Sequence, residues 1–127
     1  MRAPQISRLS KIIAAPGAAG APHFDQIVLV TPTSDVVIRC DPDSDEVVIS
    51  RRQKGKKQWT GRVLLAGDFR VSWSWLMLNQ QGYTDGFRLE ADAGGESRVF
   101  EFIAIGSGIE VSEAIKWLPP PPALSQA

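Results

Sequence analysis

The sequence holds little equipment for covalent chemistry. It carries one histidine, His23, and one cysteine, Cys40. A Cys–His pair would need the segment around His23 to fold back onto the strand holding Cys40, with a third group to orient the ring. No GxSxG, HExxH, P-loop or GxGxxG pattern occurs. Asp68, Asp85, Asp92 and Glu101 could meet in space as a general acid–base pair, but acids at strand ends also serve solubility. The sequence therefore assigns no catalytic residue and implies no cofactor.

Three polar constellations remain. The first, DPDSDE from Asp41 to Glu46, begins with the D-x-D-x-D spacing of a calcium loop. Glu46 stands where the sharp-turn glycine belongs and Arg52 where the bidentate carboxylate belongs, so no metal site is expected. A turn whose Asp and Ser side chains bond their own backbone explains the segment. The second, RRQKGKKQW, crowds Arg51, Arg52, Lys54, Lys56 and Lys57 before Trp59. A basic hairpin tip at 51–57 could bind nucleic acid or a lipid headgroup, with Trp59 as a stacking surface. The acidic turn would lie roughly 17 Å away, five residues of strand, and about two Debye lengths separate the two charges. A solvated tip that discourages aggregation is the simpler reading.

The third is NQQGYTDG. Gly82 and the Asp85-Gly86 pair supply what a bend requires. Asn79, Gln80, Gln81 and Tyr83 exceed that requirement. Amides offer donor and acceptor together, and tyrosine gives rigid area with a polar tip, the chemistry of recognition surfaces. Asn79, Gln80, Gln81, Tyr83 and Asp85 are thus the candidate binding residues.

These groups must be positioned by the rest of the chain. Its 127 residues suit one domain, and 43% hydrophobic with 22% charged residues is a globular balance. Lys+Arg and Asp+Glu both number 14, so no overall field draws the molecule to nucleic acid or anionic membrane. A single cysteine excludes an intrachain disulfide, and no apolar run approaches the ~18 residues of a membrane span. A cytoplasmic location is expected.

Short β-branched runs at Gln26–Thr31, Val36–Cys40, Glu46–Ser50, Arg62–Ala66, Val71–Leu78, Phe87–Ala91 and Arg98–Ala104 alternate with turn residues. Alternation turns Phe87, Leu89, Ala91, Phe100, Phe102 and Ala104 inward, and places Val71, Trp73, Trp75 and Met77 on one face. Val111, Ala114, Ile115 and Leu118 fall on one helical stripe, with Ser107 and Glu110 spaced as a capping box and Pro119 as the stop. The expected fold is α+β, mostly β: an antiparallel meander sheet or half-barrel of about six to seven strands, covered by one C-terminal amphipathic helix. That layout resembles the pleckstrin-homology-like topology. Residues 1–24 read as a flexible or partly helical tail, 25–118 as the single domain and 119–127 as a proline-rich tail.

The stretch WSWLMLNQQGYTDGFRLE, Trp73 to Glu90, together with DPDSDEVVI, resembles small uncharacterised bacterial single-domain proteins known as domains of unknown function. Some small domains of this sort are immunity proteins. The resemblance implies a bacterial, cytosolic protein and carries over no catalytic residue.

The functional expectation is a non-catalytic protein-interaction module, immunity-like in one version, that meets a protein through Asn79–Asp85. Nucleic acid and membrane are not expected partners; a second copy could pair along an edge strand. The alternatives are a ligand-binding half-barrel lined by Trp73, Trp75 and Phe102, and an anion binder using the basic hairpin.

Overall fold

A computed structural model describes residues 4–16, 23–55 and 59–115. Those residues form eight strands: β1 (Arg8–Pro16), β2 (His23–Val30), β3 (Ser34–Cys40), β4 (Val47–Gln53), β5 (Arg62–Leu78), β6 (Thr84–Ala93), β7 (Glu96–Ile105) and β8 (Gly108–Ile115). Neighbours run in the order β1-β5-β6-β7-β8-β2-β3-β4, and β1 also pairs with β2. The ring β1-β5-β6-β7-β8-β2 therefore closes on itself. The hairpin β3–β4 extends from the edge of β2 that β8 pairs only at His23 and Phe24. Every pairing is antiparallel.

The strand that makes closure geometrically feasible is β5. Its first half, to Arg70, pairs with β1; its second half, from Arg70, pairs with β6. One continuous strand thus turns the corner between two packed layers. The two runs expected at Arg62–Ala66 and Val71–Leu78 are this one strand.

The fold is all-β among the described residues, which overturns the expected α+β layout and its pleckstrin-homology-like topology. The segment assigned to a covering helix is β8, paired with β7 from Arg98↔Ile115 to Ile105↔Gly108. The physical reason lies at Ser107. The spacing to Glu110 predicts a helix cap there, but Ser107 has φ 65° beside Gly106 at 58°, the two positive values of a type I′ hairpin turn. Once that turn forms, β8 lies along the free edge of β7, and ladder hydrogen bonds outweigh a helical stripe. Leu118 and Trp117, like the 119–127 tail, lie outside the described residues.

The segment read as a flexible or partly helical tail is corrected too. Residues 8–16 of it form β1, which lies between β2 and β5, and His23 and Phe24 begin β2. Leu9, Ile12 and Ala14 enter the main core, while Ile13 faces the other way and packs on Val28 and Val37. Burial on both faces is what a short apolar run such as IIAA provides, and it reads equally as helix or strand.

The core itself is aromatic. Phe87, Phe100 and Phe102 are fully buried. Phe102 lies 6.4 Å from the Phe87 ring centre and 6.2 Å from that of Phe100, both near parallel. Leu29, Ile38, Val47, Leu65 and Ile109 close the same cluster from the other strands. The inward faces of β6 and β7 are those that alternation implies. The face of β5 is not.

Candidate functional site

Alternation along VSWSWLML breaks at Ser72. Val71 faces Ala91 and Trp73 faces Glu90, so two steps on β5 match one on β6. Ser72 is the extra residue of a β-bulge, and its hydroxyl donates to the Glu90 carbonyl at 3.3 Å. A one-residue offset exchanges the faces of everything after it. Val71 stays against the core and Leu76 joins it, while Trp73 and Trp75 turn outward, 64% and 37% exposed.

This corrects the ligand-binding half-barrel. Phe102 lies inside the barrel and the two tryptophans outside it, so they line no common cavity. The space between the sheets is filled by the phenylalanine rings.

On the outer face, Trp75 sits opposite Arg88, which is opposite Glu101. The Arg88 guanidinium lies 5.1 Å from the centre of the Trp75 ring and its Nη1 is 3.1 Å from Glu101 Oε2. Arg88 Nε is buried with no hydrogen-bond partner among the described residues. Glu101 holds the cation and the cation holds the indole, so Trp75 is kept against the Arg88 guanidinium. Trp73, Ser74, Trp75 and Glu90 line a shallow open cleft on this face.

At the end of β5 the chain turns through the amide-rich stretch. The Asn79 carbonyl accepts from Gly82 N–H, and Asn79 N–H donates to the Tyr83 carbonyl. Gly82 at φ 86° completes a three-residue hairpin loop with a glycine bulge. Asn79 Oδ1 accepts from the N–H groups of Gln81 and Tyr83 at 2.9 and 3.1 Å. Asn79 is thus consumed by the turn. Asp85 is half-buried at a register shift between β5 and β6. Gln80, Gln81 and Tyr83 remain exposed at the tip, next to an exposed Leu78. The structure therefore narrows the loop candidates to Gln80, Gln81 and Tyr83 and adds Trp73, Trp75 and Leu78. The signal that could have found the tryptophans was their alignment with outward Arg88 and Glu90, legible only once the bulge is known.

The other constellations are absorbed by the fold. Arg51 donates to Ser34 Oγ and the Gln5 carbonyl, both at 2.7 Å. Lys54 Nζ lies 3.4 Å from Asp35 Oδ1, and Trp59 Nε1 donates to Asp35 Oδ2 at 2.9 Å. Arg52 sits 5.9 Å from the Trp59 ring centre. Trp59 packs on the Ile13–Val28–Val37 cluster, so its ring covers apolar surface instead of standing open as a stacking platform. Lys56 and Lys57 lie outside the described residues.

The acidic turn acts as a clasp. The Asp41 carbonyl accepts from Asp45 N–H and its Oδ1 from Asp43 N–H. Asp45 Oδ1 accepts from Ser107 N–H at 3.1 Å, across 62 residues, and Glu46 Oε2 accepts from Thr84 N–H at 3.1 Å. These bonds tie the β3–β4 turn to the β7–β8 turn and to β6. The Ser107 amide, then the Cys40 thiol, hold the Asp45 carboxyl below the usual carboxylate range. No group of three metal-ligating side chains gathers among the described residues.

Cys40 Sγ lies 3.5 Å from both the Asp41 carbonyl and Asp45 Oδ1, whereas His23 Nε2 faces Glu110 at 3.8 Å. Burial, then the hydrogen bond and charge of Asp45, push the thiol up to about 11. Native Cys40 should consequently alkylate at pH 8 about 100-fold more slowly than in the denatured chain, because the thiolate is the reacting form. Iodoacetamide labelling followed by mass spectrometry reads this directly; equal rates would show that the thiol lies outside this environment. Asp68, Asp92 and Glu101 are engaged with Arg8, Ser97 and Arg88 respectively.

No helix among the described residues is long and apolar enough to cross a membrane. The model of a family of unknown function, DUF6334, matches residues 2–116. The chain belongs to that family, in keeping with the resemblance read from Trp73–Glu90. No curated protein and no solved structure matches the chain.

Proposed function

We propose that this member of the family is a non-catalytic protein-interaction module whose contact surface is the outer face of β5 and the β5–β6 tip. The observation that carries the reading is the exposure of Trp73, Trp75, Leu78 and Tyr83 along one strand and its turn. Large apolar side chains clustered outside a filled core cost solubility and mark interaction sites. Tryptophan and tyrosine with adjacent amides and an arginine are also the composition of binding hot spots. Pinning Trp75 beneath Arg88 lowers the entropy lost when a partner docks. An immunity-like role in a bacterial cytosol, with a toxin as the protein bound, is the specific form of this reading.

The test compares capture from the source organism by the wild type, by Trp73→Ala/Gln80→Ala/Gln81→Ala/Tyr83→Ala, and by a Lys11→Ala control. A partner held by the wild type and the control should bind the multiple variant at least about 30-fold more weakly, given about 2 kcal/mol for one hot-spot residue. Circular dichroism establishes that the variant remains folded. Equal binding by all three proteins would refute the reading.

A further inference from the structure

The second half of β5 has a neighbour on one side only. β1 accompanies β5 as far as Arg70, opposite Arg8, and the last bond on that side runs from Val71 N–H to the Ser7 carbonyl. The bulge at Ser72 follows at once and bends the strand. Beyond it β6 holds the other side down to Leu78. Backbone groups of successive strand residues point to opposite neighbours. The count can run across the bulge from Val71, or back from Asn79, whose N–H donates to the Tyr83 carbonyl. Either way, the backbone groups of Trp73, Trp75 and Met77 point to β6. Those of Ser74, Leu76 and Leu78 point the other way, and among the described residues nothing pairs with them.

Folded proteins guard such edges with charge or proline. Other stretches paired on one side only follow that rule here: β4 carries Arg51 and Arg52, the first half of β5 carries Arg62 and Asp68, and the end of β8 carries Glu113. The stretch SWSWLML, Ser72–Leu78, has neither charge nor proline.

We propose that this edge pairs antiparallel with the same edge of a second copy of the chain. The inference goes beyond the proposed interaction face, because it uses the edge of β5 and leaves its outer face free. Self-complementarity selects the second copy. A two-fold axis at Leu76 sets Leu76 against Leu76 and Ser74 against Leu78, so every free position of one chain meets a free position of the other, with two hydrogen bonds in each pair. Moving the axis by one residue either way leaves groups unmatched. The stretch is uncharged, so pairing with itself opposes no like charges.

On the outer face, Trp75 of one copy then stands opposite Met77 of the other, a favourable sulfur–aromatic pair, and the two tryptophan rows join into one surface. Leu78, 67% exposed, loses part of that exposure against the second strand. The turn after Leu78 of one copy arrives at an open cleft of about 300 Å³ in the other, between residues 4–6 and Val71–Ser74. A contact this short is smaller than a permanent dimer interface, so the association is transient and depends on concentration.

The test uses the full chain. Sedimentation velocity from about 1 to about 300 µM, where short interfaces associate, should show the mass rising from one chain toward two. Hydrogen exchange then reads the edge residue by residue. The Ser74, Leu76 and Leu78 amides should exchange about tenfold more slowly where about nine-tenths of the chains are paired than in dilute solution, while Trp73, Trp75 and Met77 stay constant. Ser74→Pro removes an N–H that bonds nothing within one chain, so the fold tolerates it. Each dimer loses two bonds, and pairing should weaken about 30-fold, about fivefold per bond. Leu78→Lys keeps every N–H and should also weaken pairing, by placing a charge on the edge. A thermal melt establishes that each variant folds. A mass that stays at one chain throughout would overturn the proposal, as would a dimer that either folded variant leaves intact. Protection of the three amides that appears only with another captured protein would overturn it too, and would assign the edge to that protein's strand. Capture by the Trp73 variant, measured where the chain is monomeric, reports on the interaction face separately.

Discussion

Phe102→Ala is expected to lower the unfolding free energy by about 3–5 kcal/mol, the range for emptying a buried aromatic site. Phe102 has no exposed surface, and its neighbours cannot collapse into the gap. Phe87 and Phe100 are fixed on adjacent strand positions with their rings stacked against it, and the strands that carry them are locked into a closed ring. A domain of this size has about 5–15 kcal/mol in total, so the variant should melt roughly 10–20 °C lower. Trp73→Ala is the matched control. It removes a larger side chain from the outer face and should cost within about 0.5 kcal/mol, as surface substitutions do. Denaturant titration of both variants measures the difference. Equal losses would contradict the assignment of these two aromatics to opposite sides of the wall.

Gly61→Ala is expected to be nearly as damaging, for a different reason. A Cβ at Gly61 would lie 2.4 Å from the Ala14 carbonyl oxygen and 2.9 Å from its carbon. Both are backbone atoms of β1 at the place where Ala14 pairs with Arg62, so no side-chain rotation relieves the overlap. Steric overpacking of this kind costs about 1–3 kcal/mol, and the φ of 152° at Gly61 adds about 1 kcal/mol for a residue with a Cβ. Either the β1–β5 pairing opens at its end or the entry into β5 shifts. Gly82→Ala separates the two contributions, because nothing lies within 4 Å of its added Cβ. That variant should pay only the conformational term of about 1 kcal/mol. Thermal melts that rank the two substitutions equally would show that the approach to β1 is looser than described.

The pairing that makes Gly61 sensitive was invisible in the sequence. Residues 8–16 contain Leu9, Ile12 and Ile13, which fit a helical turn as well as a strand, and strand is selected by pairing with β2 on one side and, on the other, with β5, which follows three intervening strands in the chain. Ser107–Ile115 presents the same ambiguity: the spacing of Val111, Ala114 and Ile115 is helical, yet the unpaired edge of β7 decides for strand. Asp41–Glu46 was legible as a turn, but its role in clasping Ser107 and Thr84 was not, because those amides come from distant segments. In the candidate site, Gln80, Gln81 and Tyr83 were legible because turn chemistry leaves them unexplained. Trp73 and Trp75 were misplaced because alternation carries no mark of the residue at which it slips.

What the sequence determined alone is local: which runs are extended, that the chain turns at Gly82, and that Phe87, Leu89, Phe100 and Phe102 face a core; the Asp85-Gly86 pair, expected as part of the bend, lies inside β6. These follow from side-chain period and backbone sterics, which act between near neighbours. The tertiary structure decided the closure of the ring through β1, the strand at 108–115 and the outward turn of the two tryptophans. Each depends on pairing and register between strands, with the remote β5 in the case of β1 and with the neighbouring strand for β8 and β5; one inserted residue, Ser72, exchanges inside for outside at no local cost that the sequence displays.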